Sequence, residues 1–500
     1  MTILAHRTAA SDENGRLTRD ALAVLQPGFE GTTAPSWLLR RLGEGLTAVG
    51  LFGRNIASPE QLAALTAQLR RERDDVLVAI DEEGGDVTRL EVHGGSSFPG
   101  NLALGAVDDT ELTREVAREL GRRLAECGVN LNWAPSADVN SNPDNPVIGV
   151  RSFGADTHLA ARHTAAYVEG LQAAGVAACT KHFPGHGDTN VDSHHALPRI
   201  DVDPQTLQAR ELVPFKAAIE AGTKAVMSAH IMVPVLDPTR PATLSPQILT
   251  GLLRKELGYE GLIVTDGMEM NAIAGTYGIE RGSVLAIAAG ADAICVGGGL
   301  ADEATVLRLR DALVAAVREG TLPEERLADA ADRVRALAGW TLRARPDAQP
   351  EGSRASGIGL EAARRALAVS GTPAPVAAPY VATLAPVANI AVGDETPWGV
   401  AAELAALVPG TVSGVYPEGS AAGDVLAAAG ERTIVAVVRD AHRHPWMAEA
   451  LDALVAARPD TVVVEMGLPR AEPRGSLYLA THGASRVCGR AAAEVIAGTR

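Results

Sequence analysis

From residue 20 to about 335 the chain repeats one pattern: a short apolar run rich in Val, Ile and Leu, a polar or Gly-containing turn, then a longer stretch with helical spacing. This alternation constrains the fold more than any other feature, because strands separated by helices pack as a parallel sheet with the helices outside it. The strand candidates are "ALAVLQPG" (21–28), "AVGLFGRN" (48–55), "VLVAIDEEGG" (76–85), "VNLNWAPSADV" (129–139), "VAACTKHFPGHG" (176–187), "AVMSAHIMVP" (225–234), "GLIVTDGMEM" (261–270) and "ADAICVGG" (291–298). Eight such units predict a (β/α)₈ barrel of the TIM type, longer than the ~250 residues usual for one because loops are inserted.

The pattern breaks at "RARPDAQPEGSRASGIG" (343–359), where Pro, Gly, Ser and Arg replace the periodic apolar residues. We therefore expect a barrel over residues 1–340, a linker over 341–360 and a second unit over 361–500. Within the last, "VANIAVGD" (387–394), "TVSGVYPEG" (411–419), "RTIVAVVRD" (432–440) and "DTVVVEMGLP" (460–469) read as buried strands between Ala-rich helices. That predicts a smaller α/β sandwich with a mainly parallel sheet, and an α/β class for the whole chain.

A net charge of −16 without clustered Lys and Arg argues against nucleic acid or an anionic membrane surface as partner, and leaves a compact, neutral substrate. Cys127, Cys179, Cys295 and Cys488 are scattered through apolar surroundings and read as reduced core thiols. No apolar run reaches the ~18 residues of a spanning helix and the N-terminus carries no leader pattern, so a soluble, cytoplasmic protein is expected.

Polar residues follow the apolar runs, as at Asp81, Asp138, Lys181, His182, His230 and Asp266, which is where barrel enzymes place their chemistry. Singly, each could cap the next helix; six together point to a site. The densest stretch is "TKHFPGHGDTNVDSHHALP" (180–198). Its histidines and aspartates include ligand types that zinc accepts, yet Pro184, Gly185 and Gly187 break the helix that would align His182 with His186, and no paired ligand spacing is present. No metal or other cofactor is expected. In Asp192-Ser193-His194 an extended loop puts the first and third side chains on one side, so the carboxylate can orient the imidazole for general acid and base work. A solvated loop is the remaining reading. Asp266, at a strand end and followed by Gly267, is a candidate nucleophile; Glu269, its neighbour, reads as a helix N-terminal charge.

Taken in order, "DEEGGDVTRLE", "NPVIGVRSFG", "KHFPGHGDTNVDSHHALP", "MSAHIMVP" and "VTDGMEM" resemble the β-N-acetylglucosaminidases of glycoside hydrolase family 3, over about residues 20 to 340. The resemblance implies a retaining double displacement without cofactor on a small carbohydrate substrate, with Asp266 forming the glycosyl-enzyme and Asp192 with His194 as acid/base. It also implies that Asp81, Arg151, Lys181 and His182 bind the terminal N-acetyl sugar, together with Arg89 and His230. The chain departs from the family in having "DEEGGD" where "DQEGGR" is frequent, so Glu82 and Asp86 are expected to alter charge near the sugar, and in having Gly267 after the nucleophile. Some members take an acid/base glutamate from the second domain; Glu465 would be that residue, but Asp192 and His194 already fill the role. Two alternatives accompany hydrolysis: phosphorolysis, since a neutral imidazole does not repel phosphate as a carboxylate does, and a non-catalytic sugar sensor.

Overall fold

The computed structural model describes residues 15–191, 197–344, 357–387, 392–393 and 395–499. Eight short parallel strands form the first unit: β1 (Leu25–Pro27), β2 (Ala48–Leu51), β3 (Leu77–Ile80), β4 (Leu131–Asn132), β5 (Ala177–Phe183), β6 (Ala225–Ser228), β7 (Leu262–Thr265) and β8 (Ile294–Val296). Strands β2 to β7 pair in sequence order. An isolated bridge from Val264 to Ala293 carries the sheet from β7 to β8, β8 pairs with β1, and β1 lies against β2, closing a (β/α)₈ barrel. The lumen is filled by alternate strand residues, among them Ala79, Leu131, Trp133, Cys179, Met227 and Val264. Val334, Leu337 and Ala338 of the helix Glu324–Arg343 join that cluster and cover the N-terminal end of the barrel. With that end packed, ligand access is confined to the other.

Each predicted barrel run holds a strand, but the first splits. Residues 15–23 are helical, with Leu17, Ala21 and Leu22 buried at helical spacing, and only Leu25–Pro27 is extended. A short apolar run does not by itself separate a buried helix end from a buried strand.

The second unit is a six-stranded sheet of order β11-β10-β12-β13-β14-β9. Its strands are β9 (Ala368–Gly371), β10 (Tyr380–Ala385), β11 (Val412–Pro417), β12 (Ile434–Val438), β13 (Val462–Glu465) and β14 (Leu477–Ala480). All pairs are parallel except β14 with β9. Helices Ile358–Ala366, Ala401–Leu407 and Arg486–Ile496 pack on one face, and Ala422–Ala429 and Pro445–Ala457 on the other, giving a three-layer sandwich. Three of the six strands were not foreseen. β9 is exposed at all four residues and so lacks an apolar signature, and β14 is only four residues long. β10, at Tyr380–Ala385, precedes the run read as a strand at 387–394, of which residues 388–391 and 394 lie outside the described residues.

The two units meet along the barrel rim. Asp86 pairs with Arg439 and accepts from the Ala484 amide at 2.6 Å, His442 Nε2 donates to the Pro143 carbonyl at 3.1 Å, and Arg365 pairs with Asp109 at 2.8 Å. The helix Ile358–Ala366 also packs on Asn101–Val107 of the barrel, so close that a Cβ on Gly359 would stand 2.0 Å from the Ser97 carbonyl oxygen.

Candidate functional site

The rim residues after β3, β4 and β5 form one buried network of charge. Lys181 Nζ donates to Asp81 Oδ1 at 2.5 Å and to Glu83 Oε1 at 2.7 Å. Arg151 grips the same Glu83 carboxylate through Nη2 at 2.6 Å and Nε at 3.0 Å. Burial opposes ionisation of Glu83, but the Arg151 and Lys181 charges outweigh it and hold the carboxyl well below the usual carboxylate range. Likewise burial works against the Lys181 ammonium, and Asp81 and Glu83 raise it nonetheless. Two cations against two carboxylates, each orienting the next, make a preorganised polar wall.

His182 continues that wall. Its Nδ1–H donates to Asp138 Oδ2 at 2.7 Å, which turns Nε2 toward Arg151 Nη2 at 3.4 Å. Asp138 also accepts from the His182 amide, from the His186 amide at 2.7 Å and from Ser136 Oγ at 2.9 Å. Its burial favours the neutral acid, yet His182 and His186 lower its pKa far beyond that effect. Lys181 and His182 are neighbours, and a strand with a period of two would send them to opposite faces. Here the ladder to β6 shifts register between Thr180 and Phe183, where the Lys181–His182 peptide is cis, and both side chains reach the rim network.

Asp266 follows β7. Its amide donates to the Ser228 carbonyl at 3.2 Å, and its Oδ1 accepts from the Gly267 amide at 2.8 Å. His230, after β6, donates through Nε2 to the Gly267 carbonyl at 3.0 Å and contacts Thr243 Oγ1 through Nδ1 at 2.8 Å. β6 pairs with β5 on one side and β7 on the other, so the β5 and β7 ends flank that of β6. Arg89 Nη2 stands 3.7 Å from Asp81 Oδ2 and its Nη1 donates to the Val392 carbonyl at 3.4 Å, which ties the Asp81 carboxylate to the second unit. Asp192 and His194 lie outside the described residues.

The two acidic departures after Asp81 have partners of their own. Glu82 Oε2 accepts from Thr88 Oγ1 and from the amides of Arg89 and Leu90, and burial pushes its pKa up to about 7; it braces the loop after β3. Asp86 is engaged by Arg439 and the Ala484 amide of the second unit. One expectation is corrected: Glu269 is not a helix N-terminal charge, since its Oε1 accepts from the Gly297 and Gly298 amides and braces the loop after β8. Glu465 is buried, accepting from the amides of Asp440, Ala441 and Gly467 within the second unit. Glu83, absent from the residues singled out in the sequence, is the hub of the network. Its only signal was its place two residues beyond Asp81, a spacing that a strand end shares with many structural carboxylates.

Beside the network, between the 145–151 loop and the second unit, is a cavity of ≈ 400 Å³ lined by Arg151 and Ile148 on one side and Trp398, Arg439 and His444 on the other. Among the described residues no group of three or more His, Cys, Asp and Glu is placed to hold a metal ion, and no helix is long and apolar enough to cross a membrane.

The chain is similar to known proteins. The family model for the glycosyl hydrolase family 3 N-terminal domain matches residues 37–337, more than half of the chain. The chain belongs to glycoside hydrolase family 3. A family 3 β-N-acetylglucosaminidase from Paenibacillus sp. str. FPU-7 superposes with a TM-score of 0.85 at 34% identity, covering 96% of each chain. The β-hexosaminidase of Chromobacterium violaceum is 35% identical over 66% of this chain and 92% of its own length. β-Hexosaminidase A of Pseudoalteromonas piscicida is 37% identical over 57% of this chain, a match that spans about half of that relative (52%). The chain is therefore a glycoside hydrolase, and its substrate is a carbohydrate.

Proposed function

We propose that the protein is a retaining exo-β-N-acetylglucosaminidase that removes terminal GlcNAc from cell-wall muropeptides or chitin oligosaccharides. The observation that carries this reading is that one end of the barrel carries both the Asp266 carboxylate, after β7, and the Asp81–Lys181–Glu83–Arg151–His182 wall at the ends of β3 to β5. In this scheme the wall binds the sugar hydroxyls and N-acetyl group, with Arg89 and His230 orienting Asp81 and the Asp266 turn. Asp266 attacks the anomeric carbon as the leaving oxygen takes a proton from His194, oriented by Asp192; His194 then takes a proton from water, whose oxygen displaces Asp266. The names of the relatives support water, not phosphate, as acceptor. Four unpaired, buried cysteines support a reducing compartment such as the cytoplasm.

The test uses leaving groups. His194→Ala should lose about 10²–10⁴-fold on a GlcNAc disaccharide and far less on an activated aryl glycoside, which needs little protonation to depart. Equal losses on both would exclude His194 as the acid. Free GlcNAc should be released in phosphate buffer; GlcNAc 1-phosphate as the product would establish phosphorolysis, and binding without turnover a sensor.

A further inference from the structure

In chain order the parallel strands of the sandwich lie 2-1-3-4-5 across the sheet, because β10 sits between β11 and β12 with β13 and β14 beyond. The chain leaving β10 runs to the helix Ala401–Leu407 on one face, and the chain leaving β12 runs to Pro445–Ala457 on the other. Between two connections that part in this way a crevice opens, and in open α/β sheets ligands bind there. The cavity of ≈ 400 Å³ lies at this point. Thr396 and Trp398 of the first connection and Arg439 and Arg443 of the second line it, together with Ile148 and Arg151 of the barrel. Its volume is in the range of ~300–1,000 Å³ found for small-molecule sites.

The lining carries three guanidinium groups, of Arg151, Arg439 and Arg443, against two carboxylates, of Asp86 and Asp440, in a chain whose net charge is −16. Arg151 is held by Glu83, Arg439 pairs with Asp86, and Asp440 Oδ1 accepts from the Leu468 amide at 2.7 Å. Arg443 differs from the other two cations. Its Nη1 stands 3.9 Å from Asp440 Oδ2, too far for a hydrogen bond, and its side chain is 22% exposed. Its backbone is nevertheless fixed: the Arg443 amide donates to the Asp440 carbonyl at 2.8 Å, and the preceding His442 is anchored on the Pro143 carbonyl of the barrel. On the same cavity wall, Thr396 Oγ1 is buried with no hydrogen-bond partner among the described residues.

We propose that the second unit supplies the subsite for the leaving group, and that Arg443 makes this subsite select a sugar bearing a carboxylate over a neutral one. This rests on the reading of the barrel site as an exo-β-N-acetylglucosaminidase. In that reading the wall holds the terminal sugar; Arg151 belongs to both wall and cavity, so the part of the substrate in the cavity is the part that leaves. A guanidinium on a fixed turn takes a carboxylate in fork geometry at little ordering cost, and Trp398 offers an aromatic side chain to the sugar ring. A neutral leaving group leaves Arg443 with only the more distant Asp440 carboxylate.

The experiment compares three substrates: GlcNAc linked to N-acetylmuramic acid, whose lactyl group carries a carboxylate, the lactyl amide of the same disaccharide, and chitobiose. Each is measured with wild type, Arg443→Gln and Arg443→Lys. Wild type should prefer the acid to its amide by about tenfold or more in kcat/KM, the scale of a hydrogen bond to a charged group. The preference should reside in KM and shrink in ~1 M salt, with chitobiose behaving as the amide does. Arg443→Gln should bring the acid-to-amide ratio to within about twofold of one, and Arg443→Lys should retain part of it, as a point charge without the fork. A merely structural role would lower all three substrates alike and leave the ratio standing, which overturns the proposal. A wild-type ratio near one overturns it without any variant. GlcNAc release from acid and amide at equal rates sinks this inference alone; no release from any of the three substrates sinks the proposed function and this inference with it.

Discussion

Two strand ends in this molecule bury a glutamate, and they do so in opposite ways. After β3 in the barrel, Glu83 meets the side-chain cations Lys181 and Arg151, contributed by β5 and by the loop after β4, and stays ionised. At the end of β13 in the sandwich, Glu465 meets only backbone amides, and burial pushes it up to about 7. Backbone N–H groups satisfy a carboxyl where it stands and fix a turn. Cations brought from other strands make a charged surface on which a ligand can act. That difference separates a rim of paired side-chain ions from one that braces a fold, although both glutamates follow apolar strands of similar sequence.

The largest expected effect sharpens the contrast in activity. Asp266→Ala should lose on the order of 10⁴-fold or more in turnover with its melting temperature near wild type, since in the proposed scheme this rim carboxylate carries the covalent step and little packing. Glu465→Gln should keep the wild-type rate within about twofold. A large loss in Glu465→Gln would give the second unit a place in the chemistry and break the comparison.

Next is stability. Glu83→Ala leaves Lys181 and Arg151 buried against one carboxylate fewer, and should cost about 3–5 kcal/mol in denaturant unfolding besides abolishing sugar binding. An unfolding free energy within ~1 kcal/mol of wild type would show that water replaces Glu83 and that the wall is not a dry network.

Asp86→Ala removes the barrel side of the contact to Arg439 and the Ala484 amide. A cost of about 1–3 kcal/mol is expected, with a raised KM because Arg89 and the Arg151-lined cavity lie against the same second-unit loops. Unchanged KM would confine the second unit to stabilising the barrel.

The smallest effect is the pH drift, and its sign differs between the two glutamates. Glu465 is raised from 4.5 to about 7, so the folded chain holds a proton that the unfolded chain releases; stability falls as pH rises from about 4.5 through 7. Glu83 is lowered, so its contribution is present above about 4.5 and is lost as pH falls below that. Melting temperatures of Glu465→Gln between pH 5.5 and 8 should therefore decline less than those of wild type. A parallel decline would assign the drift to Glu82 and Glu211, which burial also raises to about 7.

The sequence by itself determined the alternation of strands and helices, and with it a barrel followed by a parallel sandwich, because hydrophobic period and turn chemistry are local properties. It also placed Asp81, Lys181, His182, His230 and Asp266 at strand ends, since an apolar run that stops at a polar residue marks the rim. Only the tertiary structure decided their partners. Nothing local distinguishes Glu83 from Glu82, yet one faces Lys181 and Arg151 and the other three donors of its own loop. Asp138 was legible as a rim residue but not as the acceptor that joins His182 to His186, and the register shift in β5 that brings Lys181 and His182 to one network breaks the period on which sequence reading depends. The exposed edge strand β9 escaped for the complementary reason: its place in the sheet is set by the β14 ladder and not by an apolar pattern of its own. Pairing across the barrel is fixed by closure of the sheet, which joins residues a hundred positions apart and leaves no trace in any short window of sequence.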